Sequence, residues 1–165
     1  MPDWFVVNVR DARWWRHHTF GASCRFEDRE NPFEQLGINI RVLQPGEPNC
    51  LYHSESLQED FLVLAGECLL LVDGEERPLQ AWDFVHSPPG TEHVFVGAGD
   101  GPCAILMVGA RSEDERLLYP ASELARRHNA GAERETASPE EAYSAYSPPT
   151  ENRPERWDEL PWAKA

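Results

Sequence analysis

Lysine is almost absent from this chain: Lys164 is the only one, so nearly all the basic residues are arginine. Acidic residues outnumber basic ones by 29 to 15, which gives a formal net charge of −14. Non-specific binding to nucleic acid depends on Lys and Arg side chains that neutralise phosphates. The charge therefore argues against a nucleic-acid partner, and it says little about the fold.

Long apolar runs are also missing. No stretch approaches the roughly 20 apolar residues that a membrane-spanning helix needs, so we expect no membrane partner. The first residues, MPDWFVVNVRDARWWRHH, lack the charged start, apolar middle and small-residue cleavage site of a secretory signal. We therefore expect a cytoplasmic location.

Paired cysteines are absent as well. The four cysteines are far apart and form no CxxC motif, which excludes a zinc knuckle built from close pairs. Without a secretion signal, four reduced thiols are expected, some of them buried as small apolar residues. Cys50 lies three residues before His53 and could line the same cavity, but we expect it to be buried.

The middle of the chain has the pattern of short β-strands. In the stretch GINIRVL, apolar Ile38, Ile40 and Val42 alternate with polar residues, which indicates a half-buried strand. Further strands are expected near 51–55, 61–64, 68–72, 75–79, 82–86, 92–96 and 103–109, separated by turn signals such as Asp73-Gly74. About eight strands without intervening helices predict an all-β, antiparallel sandwich or small barrel.

The two ends of the chain differ from this middle. Residues 1–35 are predicted to form one or two strands that cover a sheet edge or an interface, and His17 and His18 are expected at the surface or in that interface. The barrel is assigned to residues 36–110. Residues 111–165 are predicted to contain a short helix over 120–128 with Ser122 as its N-cap, and then an extended tail. The apolar ending RWDELPW should dock on the barrel or on a second subunit.

Four residues of the barrel have the side chains of a metal site. His53 and Glu55 are two apart, so on a strand they face the same way. Glu59 follows four residues later, and His93 comes after a Pro-Pro-Gly turn. Each could instead be ordinary: a hydrogen-bonded barrel histidine, a solvated glutamate, or a histidine at the edge of a turn. His86 is a weaker candidate, because an odd spacing of seven residues turns it away from His93 on a continuous strand.

The segments PGEPNCLYHSESLQEDFLVLAG and WDFVHSPPGTEHVFVG resemble the two signature motifs of the cupin superfamily. The first motif is matched at Gly46, His53, Glu59 and Gly66, and the second at Pro88, Gly90 and His93. The resemblance covers about residues 36–110 and implies a jelly-roll barrel (a double-stranded β-helix). Glu55 stands where the family usually has a second histidine. Gly97 replaces the usual asparagine of the second motif, and Trp82 replaces the glycine that usually precedes Asp83.

The resemblance implies one divalent metal ion (Fe, Mn or Zn) held by His53, Glu55, Glu59 and His93, or by a triad without Glu55. In that triad, Glu55 would be a general base beside an open metal face. We expect a metal-dependent enzyme of the oxygenase, isomerase or lyase type that acts on a small, oxygen-rich molecule. The alternative is a non-catalytic cupin that binds a metal or a small ligand. A homodimer is also expected, since cupins commonly pair through their sheets.

Overall fold

The computed structural model describes residues 4–27 and 32–163, and nearly all of its regular structure is β-strand. The strands are β1 Arg13–His17, β2 Gly21–Arg25, β3 Leu36–Leu43, β4 Ser54–Glu55, β5 Glu59–Ala65, β6 Glu67–Val72, β7 Glu75–Gln80, β8 Phe84–Ser87, β9 His93–Ala98, β10 Cys103–Ala110, β11 Leu117–Leu118 and β12 Thr150–Glu151. The helices are α1 Glu123–Arg127, α2 Pro139–Ala142 and a 3-10 turn at Trp157–Glu159. No helix of the described residues is both long and apolar enough to cross a membrane.

These strands form three antiparallel sheets. The largest has seven strands in the order β12-β1-β2-β3-β10-β5-β8. A three-stranded sheet, β7-β6-β9, faces it across the core, and β11 pairs with β4 in a two-stranded sheet. The expected all-β antiparallel fold is confirmed. The two N-terminal strands, which were expected to cover a sheet edge, pair with each other and with β3 and so extend the large sheet beyond β3.

The inner face of the large sheet carries the core, and it also carries the charged side chain of Arg41. Ile105 on β10 lies opposite Arg41 on β3 and, on its other side, opposite Val63 on β5. Residues directly opposite each other on neighbouring strands project to the same face. Arg41 therefore projects inward beside apolar residues, although an alternating strand such as GINIRVL usually places its polar residues in solvent.

Two tight turns explain residues that the sequence singled out. Asp73 (φ 45°) and Gly74 (φ 81°) both adopt left-handed backbone conformations between β6 and β7, which confirms the predicted hairpin turn. Trp82 (φ 75°) is also left-handed, a conformation that glycine adopts without strain. This left-handed conformation explains why cupins usually have a glycine at this position, and in this chain an exposed tryptophan adopts it instead.

The ending RWDELPW packs on the outer face of the large sheet. The ring of Trp14 on β1 lies 5.7 Å from the ring of Trp157 and 5.7 Å from that of Trp162. Leu160 is buried in the same cluster as Ile40 of β3. The tail therefore docks on its own barrel, one of the two alternatives expected, because this face would otherwise expose a large apolar surface.

The segment after β10 closes one end of the barrel. Ser122 caps α1 by accepting a hydrogen bond from the backbone amide of Ala125 (3.2 Å), as predicted. The expected extended tail also contains α2, which the sequence analysis missed; Ser138 caps this single turn. Tyr143 follows α2, and its hydroxyl accepts a hydrogen bond from the amide of Leu51 (2.9 Å). Residues 117–147 thus lie against the strands that carry the candidate ligands.

Candidate metal centre

The two candidate histidines face each other across neighbouring backbone segments. His53 and His93 form an isolated antiparallel bridge in which each amide donates to the other's carbonyl, at 3.2 and 2.8 Å. Their ring centroids are 5.1 Å apart. Both side chains are buried, with 8% of His53 and 3% of His93 exposed. The bridge therefore fixes both imidazoles at one point inside the barrel.

Hydrogen bonds orient the two rings in the same way. Nδ1 of His53 lies 2.9 Å from the carbonyl oxygen of Leu51, and Nδ1 of His93 lies 3.1 Å from that of Thr91. A carbonyl can only accept, so in each ring Nδ1 carries the proton and donates. In the neutral form of each ring, the form that binds a metal, Nε2 would therefore be unprotonated, the arrangement that backbone carbonyls impose on metal-binding histidines.

Two carboxylates face these Nε2 atoms. Glu59 Oε2 lies 3.2 Å from Nε2 of His93, and Glu55 Oε1 lies 3.3 Å from Nε2 of His53. Each of His53, Glu59 and His93 offers a ligand atom, and these three atoms lie within 4.8 Å of one another. Glu55 does not belong to that group. The donor set of two imidazoles and a carboxylate suits a divalent first-row metal, and the four-residue ligand set stays a prediction.

The carboxylates set the charge balance of the site. Burial opposes a charge on His53, but Cys50, Glu55 and Glu59 outweigh it and raise the pKa of His53 well above its ordinary value. Burial also opposes ionisation of Glu55, yet the hydrogen bond with His53 leaves its pKa lowered. Partial burial, together with a hydrogen bond to Glu55, raises the pKa of Glu115 to about 7. Of these two neighbouring carboxyl groups, Glu55 therefore favours its charged form and Glu115 its protonated form.

An open cavity of about 320 Å³ lies beside the cluster. Phe61 and Phe95 could have filled the barrel, but they pack on each other and on the core side of His93 (ring distances 4.7 and 5.2 Å) and leave this space free. Tyr119 stacks over His53 at 5.8 Å, and Tyr143 also lines the cavity. The C-terminal segment therefore forms part of the cavity wall.

Several residues differ from what the sequence led us to expect. Cys50, expected to be buried, is only partly buried; it lines the cavity and its Sγ lies 3.6 Å from Nδ1 of His53. All four cysteines are free, as expected. His17 was expected at the surface or an interface but is buried, because its ring packs on Phe20 and Tyr146, and its Nδ1 accepts hydrogen bonds from the amides of Thr19 and Phe20. His18 is exposed as expected.

The weaker candidate and the missed residues can be placed as well. His86 is exposed and pairs with Asp60 at 2.7 Å, away from the cavity. Glu115, Tyr119 and Tyr143 line the cavity, but the sequence analysis did not select them. Their only sequence signal is an aromatic or acidic side chain in a segment of irregular structure, which does not by itself indicate a site.

Comparisons with known proteins agree with this architecture. The family model described as a cupin domain matches residues 39–109. A sugar phosphate isomerase of the cupin superfamily from Silicibacter pomeroyi superposes with a TM-score of 0.62 at 25% identity, covering 70% of this chain and 81% of that one. A cupin protein from Bacteroides fragilis gives 0.54 at 22% identity, over 69% and 89%. A polyketide cyclase from Streptomyces resistomycificus gives 0.56 at 17% identity, over 67% and 89%.

The extent of these matches varies. Among the solved structures compared, the alignments span 51% to 70% of this chain and 55% to 100% of the other chain. No curated protein matches the chain. The family model and the fold of the structural neighbours agree with the signature motifs at His53, Glu59 and His93. Residues 39–109 of this chain are therefore a domain of the cupin superfamily.

Proposed function

We propose that this chain is a metal-dependent enzyme that holds a divalent ion with His53, Glu59 and His93 and moves a proton on a small hydroxy-carbonyl molecule. The observation that carries the proposal is the matched orientation of the two rings. Both Nδ1 atoms are engaged by backbone carbonyls, and both Nε2 atoms point at carboxylates. A histidine kept only for packing has no need of this shared tautomer.

The residues of the cluster suit Fe, Mn or Zn. Two imidazoles and one carboxylate leave coordination positions free for a substrate. A bound ion would act as a Lewis acid on a carbonyl or hydroxyl oxygen. Glu55 lies against His53 and outside the group of three converging ligand atoms. We therefore assign Glu55 to proton transfer and not to the ligand set.

The neighbouring pair Glu55 and Glu115 supports proton transfer as the reaction type. Both carboxyl groups line the cavity, and the neighbouring Glu55 contributes to the raised pKa of Glu115. Glu55 would take a proton from the carbon beside the carbonyl while Glu115 donates one to the oxygen. Reversal of these transfers at the adjacent carbon regenerates the pair and gives an isomer, with no oxidant or second substrate needed. The likeness to a sugar phosphate isomerase of the cupin superfamily supports this choice over oxygenase chemistry.

The test combines metal analysis with deuterium exchange. Protein purified without an affinity tag or chelator should contain about one metal ion per chain, and His93→Gln and Glu59→Gln should each lose most of it. His86→Gln is the matched control, because this histidine is exposed and pairs with Asp60 outside the cavity. Absence of metal even after reconstitution would overturn the proposal.

Proton transfer is then measured as the incorporation of deuterium into a substrate. Aldose and ketose phosphates and the corresponding free sugars are incubated with the protein in D2O, and deuterium at the carbon beside the carbonyl is followed by NMR. Glu55→Gln should abolish exchange while keeping the metal. A protein that binds metal and is stabilised by these compounds, but exchanges no proton, would instead be the non-catalytic binding cupin.

A further inference from the structure

A second cavity adjoins the candidate metal centre. It measures about 300 Å³ and lies between the inner face of β1–β3 and residues 143–149 of the C-terminal segment. Arg41, Asn49, Cys50 and Tyr143 line both this cavity and the one beside the metal centre. A single elongated ligand could therefore reach from one space into the other past Arg41.

Among the described residues, two guanidinium groups line the second cavity and no carboxylate does. Arg41 is on β3, and Arg25 on β2 is its diagonal neighbour on the same face, since Ser23 lies opposite Arg41 and Arg25 lies opposite Asn39. Diagonal neighbours on one face of a sheet are about 7–8 Å apart. The two positive charges therefore act on the same small volume.

Arg41 lacks the acidic partner that an arginine projecting into a protein interior normally has. Within residues 4–27 and 32–163, no carboxylate lies within 4.0 Å of its guanidinium, and its Nε is buried without any hydrogen-bond partner. Glu27, the acid closest in sequence to Arg25, forms its salt bridge with Arg111. Burial lowers the pKa of Arg41, and the nearby charge of Arg25 lowers it further. The fold thus carries an uncompensated cost at this position.

A general excess of positive charge does not explain the arrangement. The chain has a formal net charge of −14, so anions are repelled from its surface as a whole. Arg41, which projects inward, and Arg25, which is exposed at the rim of the cavity, form a local exception. Guanidinium groups bind carboxylate and phosphate oxygens through paired, charge-assisted hydrogen bonds, and these bonds strengthen where water is excluded.

We propose that this second cavity is an anion subsite in which Arg41, assisted by Arg25, binds a phosphate or carboxylate group of the substrate. The rest of that molecule reaches past Arg41 to the metal centre. This proposal rests on the proposed function in one respect: it takes the bound anion to be part of a substrate. Its chemistry, an oxyanion on paired guanidinium groups, comes from Arg41, Arg25 and the cavity alone.

The experiment measures binding of inorganic phosphate and of succinate to the full chain by isothermal titration calorimetry. Arg41→Gln should weaken binding of the preferred anion about ten- to a hundredfold, and Arg25→Gln should weaken it less. Arg77→Gln is the matched control: it removes one positive charge from an exposed residue that pairs with Glu75, and it should leave binding unchanged. Preference for phosphate or for succinate identifies which group the substrate carries.

Two further readouts separate this proposal from the proposed function. Arg41→Gln should keep the metal content of the unmodified chain, and Glu59→Gln should lose metal yet still bind the anion. Binding of neither anion by the unmodified chain, or equal binding by Arg41→Gln, would overturn the subsite whatever the metal content. If the unmodified chain binds no metal even after reconstitution but still binds the anion through Arg41, the subsite is upheld and the metal-dependent function is overturned. Should Arg41→Gln not fold, Arg25→Gln decides: unchanged binding in that variant would refute the subsite.

Discussion

If Arg41 is kept for a ligand, replacing it should make the protein more stable. In Arg41→Met the side chain keeps an unbranched apolar stem beside Ile105 on the inner face of the sheet. The substitution removes a buried guanidinium Nε that has no hydrogen-bond partner in the part of the chain that the structure describes. It also removes the repulsion from Arg25, which contributes to the lowered pKa of Arg41. We therefore expect a gain in the free energy of unfolding.

The size of the gain follows from these contacts. A buried polar group without a partner costs about 1–3 kcal/mol, and the part of Arg41 that faces the cavity remains hydrated and adds little. For a chain of this length, each kcal/mol shifts the melting temperature by about 2–4 °C. Arg41→Met should thus melt about 2–12 °C above the unmodified chain. A control substitution at exposed Arg77, also to Met, should change stability by no more than about 0.5 kcal/mol.

Thermal unfolding with and without phosphate is the assay. An anion at ten times its dissociation constant stabilises the folded state by about 1.4 kcal/mol, so the unmodified chain should gain about 3–6 °C. Arg41→Met should show the higher melting temperature without phosphate and no response to it. A lower melting temperature for Arg41→Met would show that Arg41 has a structural partner. A preserved response to phosphate would show that the anion binds elsewhere.

Three other expectations concern the site and the packing around it. The pKa of His53 is raised in the folded protein, so the proton on His53 stabilises the metal-free protein fully below about pH 6.5 and ceases to do so as the pH rises through the raised value. Because a metal must displace this proton, the apparent affinity for the metal should fall at lower pH. Equal dissociation constants for the metal at pH 6 and pH 8 would contradict this. Trp14→Ala should lower the free energy of unfolding in urea by about 3–5 kcal/mol, because this buried ring contacts two other tryptophan rings. The control Trp82→Ala removes a ring that is 74% exposed and should lower it far less. Equal losses would mean that the tail does not pack on the barrel. Gly97→Ala should lower the free energy of unfolding in urea by about 1–3 kcal/mol or more, because a Cβ there would lie 2.1 Å from the carbonyl oxygen of Gln44. Gly101→Ala is the control, because that position has room for a methyl group. An unchanged free energy of unfolding in Gly97→Ala would show that this close approach relaxes at little cost.

Gly97 also shows how far a motif can be read from sequence. The alternation in GINIRVL and the Asp73-Gly74 turn are local features that depend on neighbours within a few residues, and the structure confirms the strand and the turn. The motif spacing selected His53, Glu59 and His93, and the structure brings their ligand atoms within 4.8 Å of one another. The replacement of the usual asparagine by Gly97 has a cause that is not local. The backbone of Gln44, more than fifty residues earlier, approaches this position too closely for any side chain.

The residues that the sequence analysis missed lie at long separations from the motifs. Tyr119 reaches His53 only because the chain returns to the barrel through β11, and Tyr143 reaches Leu51 through its hydroxyl. His17 was placed wrongly because Tyr146, far away in the sequence, packs against its ring at 6.1 Å. Periodicity predicts which face a residue occupies, but not which distant segment covers that face.

The two cavities also differ in which parts of the chain supply their residues. The candidate ligands His53, Glu59 and His93 lie inside the matched cupin domain, residues 39–109. Most of the second cavity comes from outside it: β1 and β2 supply one wall, and residues 143–149 supply another. A cupin could therefore share the metal cluster with this chain and still lack the walls around Arg41. If the anion subsite selects the substrate, specificity in this protein comes largely from the added segments, so likeness within residues 39–109 does not by itself transfer a substrate to this chain.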